Sequence, residues 1–159
     1  MQSTAYNSQI IQQQTLSVPP VWLDNFISIY QSLAVDNLSG LAQLYHENII
    51  FEDPLHVITG FSALADYFDN LYQYVSNCTF VINQVIREGN QAGIYWTMTY
   101  THKYLNGGKT ISVEGHSLIM GDKDKVVYHR DYIDLGQMIY ENVPVLGGII
   151  RWLKRRINQ

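Results

Sequence analysis

The 159-residue chain carries 14 acidic and 10 basic side chains, a formal net charge of -4 that excludes a general electrostatic footprint for nucleic acid. Hydrophobic residues make up 47% and charged residues 15%, which excludes a disordered or purely solvating chain and leaves one domain with one core. The single Cys78 forms no disulfide within the chain, and no run of about eighteen apolar residues offers a membrane span, so a soluble cytoplasmic protein is expected. Twelve tyrosines suit half-wet pockets and interfaces, because each joins an apolar ring to a polar tip.

Residues 1–17 are rich in Gln and Ser, lack the charged start and apolar core of a signal peptide, and read as a flexible arm. Pro19-Pro20 marks a helix start. Trp22, Phe26, Ile29, Tyr30 and Leu33 follow at helical spacing, which predicts a helix to about Val35. After a break over residues 36–40, Leu41, Leu44 and Tyr45 predict a short helix ending near His46. A short apolar strand, Ile49 to Phe51, then runs into Glu52-Asp53-Pro54. Proline cannot donate to a sheet ladder and biases Asp53 to an extended backbone, so the strand ends there. Gly60 opens a third helix carrying Phe61, Leu64, Phe68, Leu71 and Tyr72, expected to end near Val75.

From here the period changes to two. Strands are expected over residues 80–87, 94–101, 111–120 and 126–135. Their turns are Glu88-Gly89-Asn90, Asn106-Gly107-Gly108 and Gly121-Asp122-Lys123-Asp124. Helices followed by hairpin-joined strands make an α+β domain over residues 18–140, with N-terminal helices packed across a curved antiparallel sheet. Such a layer leaves room for a small-molecule cavity.

The Tyr45-to-Phe68 stretch, with seven residues between Tyr45 and Asp53-Pro54, then Gly60 and a Phe-rich helix, resembles the nuclear transport factor 2-like superfamily. Within it, the stretch is most similar to the SnoaL-like and ketosteroid-isomerase-like branches. His129-Arg130-Asp131-Tyr132-Ile133-Asp134-Leu135 resembles the last strand of limonene-epoxide hydrolases. The resemblance covers about residues 20–136 and implies a cone-shaped, cystatin-like α+β barrel around a pocket. It also implies functions from catalysis to plain binding, because the fold hosts both. It places Asp53 at the general-base aspartate of ketosteroid isomerases, a worked case of pKa tuning. His116 falls near their oxyanion-hole aspartate, and Tyr30 lies one residue from their oxyanion-hole tyrosine. Asp131 matches a catalytic aspartate of the epoxide hydrolases. Their arginine and second aspartate have no counterpart in Tyr95-Trp96-Thr97-Met98-Thr99-Tyr100, so that reaction is not expected.

Asp53 has two readings. A carboxylate at a strand exit among apolar neighbours acts as a base, or it closes a turn by bonding to nearby backbone. On β periodicity His129, Asp131 and Ile133 share one face of the last strand, and His116 shares a face with Glu114, Leu118 and Met120. The expected catalytic set is Asp53, His116 and Asp131. Tyr30, Tyr45, His56, Phe68, Trp96, Met98, Leu118 and His129 are the expected ligand-binding residues. The alternative for His129 and Asp131 is a satisfied buried pair. No histidine spacing suggests a metal, and no glycine-rich phosphate loop suggests a nucleotide, so no cofactor is expected. The expected ligand is small and apolar with a polar group. The function is then a cofactor-independent isomerase or hydrolase with Asp53 as base, or a non-catalytic binding or interaction module.

Tyr95, Thr97, Thr99 and Thr101, with Val113 and Ile119 beside them, predict an apolar outer sheet face that pairs in a homodimer. Residues 141–159 form a tail. Four of the ten Lys and Arg residues fall in residues 151–159 with no acidic group, giving +4 against -8 for residues 1–150. The tail reads as a basic amphipathic helix that docks on the acidic body, with contact to a membrane surface through residues 147–159 as the alternative.

Overall fold

The computed structural model describes residues 18–33 and 38–157. The expected arm, the end of the first helix at Val35 and the Asp36-Asn37 part of the break lie outside these residues.

Helix α1 (Val21–Ser32) starts after Pro20 and buries Trp22, Leu23, Phe26 and Tyr30 along one side. Helix α2 (Leu41–Leu44) is a single turn. Strands β1 (Tyr45–Glu52) and β2 (Val57–Thr59) flank the Asp53-Pro54 bend, and Gly60, at φ 89°, turns the chain into α3 (Phe61–Tyr72). Such a φ favours glycine, since a Cβ there clashes with backbone. Strands β3 (Val75–Glu88), β4 (Gln91–His102), β5 (Thr110–Asp122) and β6 (Lys125–Ile133) follow. A short helix α4 (Leu135–Met138), a 3-10 turn (Tyr140–Asn142) and helix α5 (Leu146–Ile157) close the chain.

The sheet has six strands in the order β2-β1-β6-β5-β4-β3. It is curved and unclosed, and with the helices it forms the expected α+β cone. One pair departs from the antiparallel expectation: β1 lies parallel to β6, with Phe51 opposite His129. Three expected boundaries also move, each because pairing or capping overrides local spacing. Tyr45 belongs to β1 rather than to the helix before it, and pairs with Val126. Val75 opens β3 opposite His102. Strand β6 ends at Ile133 because the Asp134 carboxylate accepts from the amides of Gly136 (2.8 Å) and Gln137 (3.2 Å), capping α4.

The inner face of β4 carries Ala92, Ile94, Trp96, Met98 and Tyr100, all buried. Register fixes which residues of β5 share it: Trp96 lies opposite Gly115, Ile94 opposite Ser117 and Met98 opposite Val113. Val113 and Ile119 are therefore buried inward, which corrects their expected place on the outer face. The outer neighbours of Tyr95, Thr97, Thr99 and Thr101 are His116, Glu114, Ser112 and Thr110.

Gly121 on β5 lies under the Trp22 ring of α1, and a Cβ there would sit 2.1 Å from the ring. The contact is with the base of the indole rather than a flexible tip, so α1 itself must shift. Gly121→Ala is expected to destabilise the fold by about 1–3 kcal/mol, the usual range for overpacking. Urea unfolding of both proteins checks this.

Candidate functional site

Between the sheet and the helices lies a largely apolar cavity of about 390 Å³. Its size suits a small ring-containing molecule. Phe51 (β1), Phe68 and Tyr72 (α3), Phe80 (β3) and Trp96 and Met98 (β4) supply most of the wall. Leu135, Met138 and Ile139 close one side. The Tyr100 hydroxyl donates to the Met138 carbonyl and ties this closing segment to the sheet.

Two carboxylates, Asp53 and Asp131, line this cavity, and their surroundings differ. Asp131 stands on β6, two residues from the fully buried His129. Its Oδ1 accepts from His129 Nε2 at 2.8 Å and from the Ser117 hydroxyl at 2.5 Å. Ser117 in turn accepts from the Trp96 indole N–H at 2.9 Å. On its other side, His129 Nδ1 lies 2.7 Å from the Tyr45 hydroxyl, which lies 2.7 Å from the Tyr30 hydroxyl.

One proton arrangement satisfies every member. A carboxylate only accepts, so His129 carries its proton on Nε2 and Nδ1 accepts from Tyr45. Tyr45 then accepts from Tyr30. An imidazolium would reverse both tyrosine bonds and leave the Tyr30 hydrogen without an acceptor. Burial, above all, raises both tyrosine hydroxyls well above their ordinary range, so both stay protonated. Asp131 Oδ2 accepts no hydrogen bond among the described residues.

Asp53 is held differently. Its Oδ1 accepts from the amides of Leu55 and His56, each at 2.7 Å, and from His56 Nδ1 at 3.2 Å. Its Oδ2 accepts from the Tyr67 hydroxyl at 2.5 Å. Burial pushes the carboxyl up, but the bonds from Tyr67, Leu55 and His56 outweigh burial and lower its pKa. Oδ1 closes the turn after β1, which is the turn reading of this residue, and Oδ2 ties that turn to α3.

The expected residues divide into three groups. Asp53, Asp131, Tyr30, His56, Phe68, Trp96 and Met98 line the cavity together. Tyr45 and His129 are buried behind it and touch its lining through Tyr30 and Asp131. His116 and Leu118 are on the opposite side of the sheet, which corrects their expected place in the pocket. His116 is stacked between Tyr95 and Tyr132, at centroid distances of 5.3 and 4.7 Å. Leu118 pairs with Gly93 and Arg130, both on that outer side. Ser117 and Tyr67 went unpredicted. The signal for Ser117 was present, as a small polar residue inside the alternating run Ile111, Val113, Gly115, Ile119. Among the described residues no group of three or more His, Cys, Asp or Glu side chains is placed to hold a metal. No helix among them is long and apolar enough to cross a membrane.

Residues 27–129 match the model of a family described as the SnoaL-like domain. No curated protein matches the chain. Solved structures share the fold at low identity. An NTF2-like protein of unknown function from Burkholderia pseudomallei is 12% identical with a TM-score of 0.68, covering 80% of this chain and 100% of that one. A protein of ketosteroid-isomerase-like fold from Catenulispora acidiphila, in complex with trimethylamine, is 14% identical with a TM-score of 0.67, covering 80% and 96%. A candidate SnoaL-like polyketide cyclase from Shewanella putrefaciens is 19% identical with a TM-score of 0.63, covering 76% and 94%. The last strand's likeness to limonene-epoxide hydrolases finds no counterpart among these.

The hydrogen bonds of Asp53 carry a pH dependence. Its pKa is lower folded than unfolded, so the native state prefers the ionised form. That stabilisation is complete above the ordinary value of 3.8 and is lost as pH falls through the depressed folded value. Asp53→Asn is expected to be less stable than wild type at pH 7, with the gap narrowing below about pH 4. Chemical denaturation between pH 7 and pH 2.5 measures it, and a constant gap contradicts the assignment.

Proposed function

The chain belongs to the SnoaL-like domain family, and we propose that it binds a small, largely apolar molecule with Asp131 as the group that accepts the ligand's proton or hydrogen bond. The reading rests on one observation: Asp131 lines an aromatic-walled cavity with Oδ1 fixed by His129 and Ser117 and Oδ2 without a hydrogen bond among the described residues. Asp53 takes a positioning role in place of the expected base, since the turn amides hold Oδ1 and the Tyr67 hydroxyl of α3 holds Oδ2.

The chemistry that suits this arrangement is cofactor-independent proton transfer beside a carbonyl, as in an isomerase. Oδ2 takes a proton from the carbon next to a ketone, and the electron pair moves onto the carbonyl oxygen as an enolate. The proton then returns to the same carbon or to a conjugated one. Such a base contributes about two to four powers of ten to the rate. Relatives of this fold named after polyketide cyclases and ketosteroid isomerases support the choice of enolisable ring ketones as probes. The relative that holds trimethylamine supports adding small amines.

The test is exchange of ketone α-protons into deuterated water, followed by NMR, over a panel of 3-oxo steroids and polyketide-like ketones. Small epoxides and amines are included as binding controls. Wild type is expected to catalyse exchange of at least one ketone. Asp131→Asn should lose about two to four powers of ten in rate while keeping ligand affinity within about tenfold. Asp53→Asn should keep most of the activity. Equal rates for wild type and Asp131→Asn eliminate the base. Tight binding without exchange assigns the cavity to a non-catalytic binding module.

We also propose that two copies pair through the outer sheet face. Exposed Tyr95 and Tyr132 enclose His116 there, beside a row of threonines, and an aromatic patch of this kind suits an interface. Light scattering is expected to report a dimer at micromolar concentration, and Tyr95→Glu with Tyr132→Glu a monomer.

A further inference from the structure

Helix α5 is attached to the body by its polar side. Gly147 is its one buried residue, and a Cβ there would meet the Glu141 carbonyl at 2.1 Å. Arg151 donates to that same carbonyl at 2.8 Å, and Lys154 pairs with the Glu141 carboxylate. At about 100° per residue, Gly147, Arg151 and Lys154 share one side of the helix. Leu146, Ile149, Ile150, Leu153 and Ile157 fall in an arc of about 100° on another side. That arc faces outward: Ile149 is 50% exposed, Leu153 47% and Ile157 82%. Trp152, 47% exposed, stands near its edge with the Arg156 guanidinium 4.9 Å over its ring.

A surface helix of a soluble domain normally turns its apolar stripe to the core. Here the orientation is reversed, so the expected docking on the acidic body is limited to the Glu141 turn. The entry to the helix adds strain, since the β-branched Val145 stands at φ 69°, where such residues are rarely found. Lys154 and Arg156 lie at the two margins of the apolar arc, and Arg155 lies opposite it. Basic side chains in those positions reach past a buried apolar stripe to anionic headgroups. The helix holds four cations and no anion.

We propose that α5 is an interfacial anchor, lying in the surface of an anionic bilayer with Ile149, Leu153 and Ile157 among the acyl chains. Charge selects the occupant. The four cations of α5 accompany an exposed apolar arc, and an anionic bilayer answers both at once, with negative headgroups for the cations and acyl chains for the arc. The anchor follows the cavity-closing residues Leu135, Met138 and Ile139 after one 3-10 turn and a three-residue link, which brings the pocket rim near the surface where apolar ligands partition.

The test is sedimentation of the full chain with vesicles of phosphatidylcholine alone and of phosphatidylcholine with one-third phosphatidylserine. Wild type is expected to pellet with the anionic vesicles, to be released by high salt, and to remain free with the neutral ones. Trp22 and Trp96 are buried, so a blue shift of tryptophan emission on mixing reports Trp152. Ile149→Ser with Leu153→Ser should abolish pelleting. Arg155→Gln with Arg156→Gln, neither of which holds the Glu141 dock, should weaken it about tenfold or more. Circular dichroism and unchanged Trp22 and Trp96 emission establish that these variants fold. No pelleting with anionic vesicles, or pelleting unchanged by either pair of substitutions, overturns the anchor. Self-association that the serine variant abolishes, without pelleting, overturns it too and assigns the face to a second copy.

Discussion

A fully buried imidazole governs this structure. His129 is 0% exposed, with the rings of Phe26, Tyr30, Tyr45 and Phe51 around it at centroid distances of 5.0–6.0 Å. A polar ring in that setting costs stability unless both nitrogens are bonded. The two bonds it makes join elements far apart in sequence: Tyr45 brings β1, Tyr30 brings α1 through Tyr45, and Asp131 and Ser117 bring β6 and β5. The parallel β1–β6 pairing, the departure from an otherwise antiparallel sheet, holds Phe51 opposite His129 and Tyr45 within reach of its ring. Removing Tyr45, Asp131 or Ser117 leaves His129 Nδ1, His129 Nε2 or the Trp96 N–H buried and unpaired, a penalty of about 1–3 kcal/mol per group. The network therefore acts as a single unit that sets the floor of the cavity.

The same network separates two carboxylates that share a wall. Asp53 is engaged by its own loop at Oδ1 and by Tyr67 of α3 at Oδ2, and the Asp-Pro signal is read by the backbone as a turn. Its lowered pKa follows from those bonds, and with both oxygens engaged it has no free acceptor for a ligand. Asp131 is rigid for the opposite reason. Its donors come from strands locked in register, they occupy one oxygen, and they leave the other at an apolar surface where a hydrogen bond is strong. Burial alone does not distinguish the two. What each oxygen is bonded to does.

The elements, the hairpins and the cavity wall of β4 were legible in the sequence because spacing and turn residues encode them locally. Asp131 was legible as well, as an ionisable group on an inward face. The place of His116 was not. Its strand carries two plausible faces, and the choice depends on how many residues lie between the paired Thr101 and Thr110. Eight residues lie between that pair, so even positions of β4 meet odd positions of β5, and Ile111, Val113 and Ser117 turn inward while His116 turns out. The better apolar alternation of the odd positions carried the answer, but a histidine near a familiar motif position drew the reading the other way. The turn bonds of Asp53 were legible in Asp53-Pro54, but its bond from Tyr67 was not, since Tyr67 reaches it across fourteen residues from a helix whose rotation no local pattern fixes.

The stretch that matches the family model ends at His129, and much of what distinguishes this cavity lies beyond it. Asp131 is two residues further on. Asp134 then stops β6 and starts α4, which turns Leu135, Met138 and Ile139 over the cavity. The Tyr100 hydroxyl holds this segment down at Met138, and Asn142 donates to the carbonyls of Gln137 and Met138 from the far side of the turn. The shared fold thus provides a walled space, while residues 131–142 supply the acceptor and the closure. Solved relatives at 11–19% identity carry this fold without carrying those residues' chemistry over to this chain. Asp134 shapes the pocket without lining it, because its cap fixes where the strand ends and hence which side chains reach over the cavity.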